Sequence, residues 1–220
     1  PVLKDEPLIF VEVAFTKGIG NSIQEIVKPK TDNNSNYDTA TFYSISNCQE
    51  GLMRVTLGNF LIKRVVFEIQ EENPKIKNFG TLSPLPGFSD WFLSLNDEKL
   101  KDILKNYDIT KLNFLRSSDL KIGEPKIIEE KTAIKKLVAH YLINEKINNK
   151  PLNPVSRFHL GNGASIYNII INGNISDYGY KESFGIMVNY GYQLEKLEKI
   201  HEDFITKGII SYSDKIKKYV

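Results

Sequence analysis

The stretch Phe42–Val66, FYSISNCQEGLMRVTLGNFLIKRVV, changes character twice along its length. It opens as a strand and passes through a polar turn holding Gly51 and Gly58. It then continues as an amphipathic segment in which Phe60, Leu61, Val65 and Phe67 recur at helical spacing. The spacing predicts a strand–loop–helix unit. Such a loop leaves backbone N–H groups unpaired at the start of a helix, where the positive end of the helix dipole also lies, so phosphate or pyrophosphate is favoured there. Two turns and a helix packed on a sheet are the simpler explanation of this stretch taken alone, because a pair of glycines is a weak motif.

Working outward, Leu8–Phe15 reads as a buried strand and Ala40–Ile45 as the strand that enters the unit. Downstream, the helix should stop near Glu72, before Asn73 and Pro74, and Ile76–Leu82 reads as another strand. Pro84 and Pro86 then prevent an interior strand from continuing, since neither has an N–H to give. Ser83 therefore lies at a strand end where the sheet is forced open, a common place for a site. Ser89 is the expected N-cap of a short helix carrying Trp91, Phe92 and Leu95.

Farther on, Ile134, Leu137, Val138, Tyr141 and Leu142 predict an amphipathic helix within Glu129–Lys146. Pro154 suits the first turn of a short helix that Gly161 and Gly163 would end. Ala164–Ile171 reads as a strand, Asn172–Glu182 as a turn-rich loop, and Phe184–Leu194 as a final strand. A helix over Glu195–Lys207 would turn Leu197, Ile200, Phe204 and Ile205 inward, and Ile209–Val220 would be an outermost basic helix. Strands and helices are interleaved, so the expected class is mixed α/β, one central sheet flanked by helices.

A chain of 220 residues can bury a sizeable core. Its net charge of +2 supplies no global field for nucleic acid, and no apolar run is long enough to span a bilayer. Cys48 is the single cysteine, which fits a reducing compartment and leaves no cysteine-built metal site. The three histidines are far apart and no HExxH, Walker or GxSxG pattern occurs. What remains is Ser83 at the broken strand end, His159 in a glycine-rich turn, and Tyr190 and Tyr192 on the last strand. On spacing alone a capping or turn role for Ser83 and a helix-terminal role for His159 stand ahead of a catalytic one.

The blocks FYSISNCQEGL, LGNFLIKRVV, TLSPLPGF, NPVSRFHLGNGA and GIMVNYGY, in this order, resemble the malonyl-CoA decarboxylase family. The resemblance runs from about Glu6 to Leu194, with Asn96–Lys126 shortened or diverged. It implies a fold similar to the GNAT acetyltransferases, a mixed, splayed sheet with acyl-CoA in the gap. Residues 1–220 would then be the catalytic domain, without the family's N-terminal helical domain. In a chain that opens almost directly on a strand and has no Met at position 1, a missing N-terminal region is the expectation.

By that resemblance Ser83 and His159 are the catalytic pair and Tyr192 a third active-site position. The CoA loop falls on Met53, Arg54, Val55, Thr56, Leu57, Gly58 and Asn59. Thr56 stands where family members commonly carry an acid. Arg54 replaces a small residue, and an arginine beside a pyrophosphate is favourable.

The implied reaction turns malonyl-CoA into acetyl-CoA and CO2 through a thioester enolate. His159, an imidazole titrating near neutral pH, would protonate that enolate. Ser83 would position the departing carboxylate or share a proton, and Tyr192 would orient either partner. No metal and no organic cofactor is expected, because CoA is part of the substrate. Malonyl-CoA is the implied partner, with no nucleic acid and no membrane, and homo-oligomerisation is left open. The implied place is intracellular, in cytoplasm or mitochondrial matrix, and the KIKKYV ending is no peroxisomal address. The rival readings are a CoA-dependent acetyltransferase and a non-catalytic acyl-CoA-binding homologue.

Overall fold

The computed structural model describes residues 9–28, 36–47, 58–117 and 119–220. Strand β1 (Ile9–Thr16), a helical turn α1 (Ile23–Ile26), strand β2 (Thr39–Asn47) and helix α2 (Gly58–Glu72) come first. Short strands β3 (Asn78–Thr81) and β4 (Ser83–Pro84) lead into helices α3 (Phe88–Ser94) and α4 (Asp97–Leu104), then a 3-10 segment, Ile109–Arg116. Helices α5 (Pro125–Glu129) and α6 (Lys131–Ile143) precede a small hairpin of β5 (Lys146–Ile147) and β6 (Lys150–Pro151). The remainder alternates α7 (Pro154–Gly161), β7 (Ser165–Ile170), α8 (Asp177–Ser183), β8 (Met187–Tyr192), α9 (Leu197–Lys207) and α10 (Asp214–Lys217).

The sheet is mixed. β1 pairs antiparallel with β2, β2 runs parallel to β3, and β3 and β4 both pair antiparallel with β8, whose other side carries β7. β2 and β3 stay in register from Thr39 opposite Asn78 to Phe42 opposite Thr81. One more bond, from the Leu82 N–H to the Phe42 carbonyl, closes the shared run. Beyond it β2 is held by β1 alone and β4 by β8 alone. Pro84 has no N–H to give, so the two strands separate as the proline spacing predicts. The expected class is borne out, a mixed and splayed central sheet flanked by helices.

Helix α6 buries the predicted stripe: Ile134, Leu137, Val138, Tyr141 and Leu142 are each no more than 2% exposed. They pack with Phe88, Trp91 and Phe92 of α3, the Tyr141 ring meeting Phe88 edge-on at 5.5 Å. Full burial of one such side chain contributes roughly 1.5–3 kcal/mol, so this stripe dominates the helix's stability. Helix α2 presents Ile62 and Val66, one turn apart, whereas Phe67, expected on the inner face, is 61% exposed.

Five other expectations change for physical reasons. β1 is the sheet edge, not a buried strand: Phe10 and Phe15 are exposed, and Val11 and Val13 pack on the core. The segment read as a loop contains α8, because Ser176 caps it by accepting from the Gly179 N–H and Phe184 ends it in a left-handed turn. Gly87, not Ser89, is the N-cap of α3, and the Ser89 hydroxyl instead donates to the Lys181 and Glu182 carbonyls of α8. In α9 Leu197 and Phe204 are buried and Ile205 is exposed. The C-terminal segment is helical only at α10. Before it, Ser211 and Ser213 bond both sides of Ile166 and extend the sheet past β7, and Ile216 is fully buried.

Gly163 ends α7 at φ 78°, and a Cβ there would lie 2.3 Å from the Leu197 carbonyl oxygen. Both the left-handed backbone and the backbone clash count against any side chain. Gly163→Ala is expected to destabilise the fold by about 3 kcal/mol. Urea unfolding measures it, and a loss within about 0.5 kcal/mol would contradict this account.

Candidate active site

The divergence of β2 and β4 opens a cavity of about 320 Å³. One wall is Phe42–Ile45 of β2, the other Leu82–Pro84, and α7 closes the end with Pro154, Val155, Phe158 and His159. None of the described lining residues is charged.

Helix α7 is fixed before it presents its histidine. Pro154 sits in its first turn, and the Asn153 side chain caps it by accepting from the Ser156 N–H at 2.8 Å. Asn153 Nδ2 and the Tyr141 hydroxyl each donate to the Pro86 carbonyl at 3.0 Å, which ties α7 and α6 to the segment following β4. Ser83 and His159 are thereby brought together from 76 positions apart.

His159 Nε2 lies 2.9 Å from Ser83 Oγ, and Nδ1 lies 2.9 Å from the Tyr192 hydroxyl on β8. Ser83 Oγ also donates to Thr81 Oγ1 at 2.8 Å. The imidazole stacks on Tyr190 with ring centres 4.5 Å apart, and Phe158 meets it edge-on. His159 is 3% exposed, and its hydrogen-bond and ring partners among the described residues include no carboxylate. Burial alone pulls its pKa down to about 3, because nothing compensates an imidazolium there. The expectation of an imidazole titrating near neutrality is therefore corrected: at physiological pH the ring is neutral. Burial also pushes the Tyr190 and Tyr192 phenols well above their ordinary range.

All three residues singled out for catalysis, Ser83, His159 and Tyr192, thus form one buried hydrogen-bonded chain at the cavity. Of the expected CoA loop, Met53, Arg54, Val55, Thr56 and Leu57 lie outside the described residues, while Gly58 and Asn59 open α2. β2 ends at Asn47, past the point where the sheet parts, and α2 is long enough to carry a full helix dipole.

Sequence reasoning passed over Thr81, which the motif TLS places on the same side of an extended strand as Ser83, two residues on. It also gave no role to Asn189, whose Nδ2 donates to the Thr81 and Gly20 carbonyls across the splayed strand. The other two histidines lie elsewhere: His140 beside Glu145 at 3.3 Å, and His201 donating to the Gly161 carbonyl. Among the described residues, no group of three His, Cys, Asp or Glu side chains is placed to hold a metal ion. Nor is any helix among them long and apolar enough to cross a membrane.

Comparison with known proteins gives a consistent answer. The profile of the malonyl-CoA decarboxylase C-terminal domain matches residues 1–220. The chain is 36% identical over 237 residues to the mitochondrial malonyl-CoA decarboxylase of Anser anser anser, covering 98% of this chain and 47% of that protein. The crystal structure of malonyl-CoA decarboxylase from Agrobacterium vitis superimposes with a TM-score of 0.89 at 38% identity, over 99% of this chain and 54% of that one. The Rhodopseudomonas palustris enzyme gives 0.84 at 39% identity, over 98% and 50%. The chain thus spans about half the length of the curated relatives it matches. It belongs to the malonyl-CoA decarboxylase family and corresponds to that family's C-terminal domain.

Proposed function

We propose that this chain decarboxylates malonyl-CoA to acetyl-CoA and CO2, with the thioester in the gap between β2 and β4 and the CoA pyrophosphate at the start of α2. The observation that carries the reading is the Ser83–His159–Tyr192 chain at the wall of an otherwise uncharged cavity. A malonyl carboxylate there has no described cation beside it. The reaction disperses its charge onto a thioester enolate and a neutral CO2, so an uncharged pocket favours the transition state over the bound ground state. The bond between Cα and the carboxyl carbon breaks, its electron pair moves into the enolate, and Cα takes a proton from the Ser83–His159 pair. The thioester serves as the electron sink, so the chemistry calls for no further cofactor.

The test is purified protein with malonyl-CoA labelled at its free carboxyl. Labelled CO2 and one equivalent of acetyl-CoA are expected. Transfer of acetyl groups from acetyl-CoA to amines without CO2 release would instead make the chain an acetyltransferase. Tight binding of CoA esters with no turnover would make it a non-catalytic binding homologue.

A further inference from the structure

The Thr81 hydroxyl sits at the end of the buried chain and has both its lone pairs engaged. It accepts from Ser83 Oγ at 2.8 Å and from the Tyr190 backbone N–H at 3.2 Å. The second contact replaces an ordinary ladder bond. Gly80 stands opposite Gly191 and Ser83 opposite Val188, so the register continues through Thr81 and Tyr190, but the bond there is made by a side chain. Asn189 holds the Thr81 carbonyl from the same strand. Thr81 is 1% exposed, so no water competes for these positions.

We propose that Thr81 is a positioning residue that sets the direction of the whole chain and thereby the tautomer of His159. A serine hydroxyl has one hydrogen. With that hydrogen given to Thr81, Ser83 Oγ can meet His159 Nε2 only as an acceptor, so Nε2 carries the imidazole proton. Nδ1 is then bare and must accept, which makes the Tyr192 hydroxyl the donor. Every hydrogen in the chain points away from Tyr192 and toward Thr81.

For the reaction, and resting on the decarboxylase reading above, this direction supplies a proton without forming an imidazolium. The Ser83 hydroxyl turns from Thr81 to the enolate and gives its proton to Cα. His159 Nε2 passes its proton to Ser83 Oγ, and Tyr192 passes its own to Nδ1. The negative charge that began on the malonyl carboxylate ends on the Tyr192 oxygen. Burial makes a phenolate unfavourable there, so after product leaves the transfers reverse: Tyr192 regains its proton from Nδ1 and Nε2 from Ser83 Oγ, which takes a proton from water in the cavity and restores the resting direction. Without Thr81 the Ser83 hydrogen is free to donate to Nε2, the opposite tautomer becomes available, and the chain can run backwards.

The test is nitrogen NMR of His159 in the free protein, which needs no substrate. The Nε2–H tautomer with an unprotonated Nδ1 is expected in the parent chain, and a shift toward the Nδ1–H tautomer in Thr81→Val. In the malonyl-CoA assay Thr81→Val should lose about a hundredfold in kcat with KM changed only a few-fold, and Thr81→Ser should recover most of the rate. An Nδ1–H tautomer in the parent overturns the proposal, as does a Thr81→Val protein with an unaltered tautomer. A parent with the expected tautomer but no CO2 release would leave the assignment of Thr81 standing and remove the decarboxylase reading instead.

Discussion

Alanine at position 159 is expected to lower kcat for CO2 release from malonyl-CoA by about a hundred- to ten-thousandfold, the usual worth of a positioned proton donor. The CoA portion of the substrate is held by other residues, so KM should move little. Ser83→Ala removes the group between the imidazole and the cavity and should cost a similar factor. The two act as one chain, with 2.9 Å between Ser83 Oγ and Nε2, so the double variant should be only slightly slower than the worse single variant. Because burial holds His159 near pKa 3, kcat should show no inflection near pH 6.5 from this group. Steady-state kinetics with the labelled substrate would decide it. A His159→Ala protein at the parent rate sinks the assignment, and strictly multiplicative losses would mean that the two residues work separately.

How much of this could be read before any coordinates depends on the range of each interaction. The strand–loop–helix unit, the α6 stripe and the break at Pro84 are local facts of spacing and of proline's missing N–H. The strand and the helix of that unit, the stripe and the break each appear where the sequence predicts them, while the loop between strand and helix lies outside the described residues. The Pro84 break was the most informative, because it fixed where the sheet opens and hence where Ser83 stands. Long-range order was less legible. β1 has the apolar residues of a buried strand, but only its position at the sheet edge explains why Phe10 and Phe15 face solvent. Ser176 caps α8, and the Ser89 hydroxyl ties α8 to α3 across more than 90 positions, a pairing that no spacing rule reveals. The resemblance to a family named Ser83, His159 and Tyr192. The role of Thr81 and the deep burial of His159 emerged only when β4, β8 and α7 were seen together.

That burial has a consequence for stability as well as for catalysis, and it makes the second large prediction. His159 binds a proton with a pKa near 6.5 in the unfolded chain and near 3 in the folded one. Between those values the unfolded state carries a proton that the native state does not. The free energy of unfolding therefore rises with pH across this window, by up to about 1.4 kcal/mol per pH unit, and levels off above about pH 7. Going from pH 7.5 to pH 4.5, this one group should remove about 3 kcal/mol. Other groups titrate at more acid pH. The carboxyls of Asp38, Asp108 and Asp203 are held below their usual value by hydrogen bonds from Gly18, Thr110 and Lys207 respectively, and their stabilisation is lost as pH falls. They remain in a His159→Gln variant, so the difference between parent and variant isolates the histidine. Urea unfolding of both proteins at half-unit steps from pH 4.5 to 7.5 should show the parent losing about 3 kcal/mol more than the variant. Parallel curves would mean that His159 takes up its proton without unfolding the chain, and the neutral proton chain from Tyr192 to Ser83 would have to be abandoned in favour of an imidazolium acid.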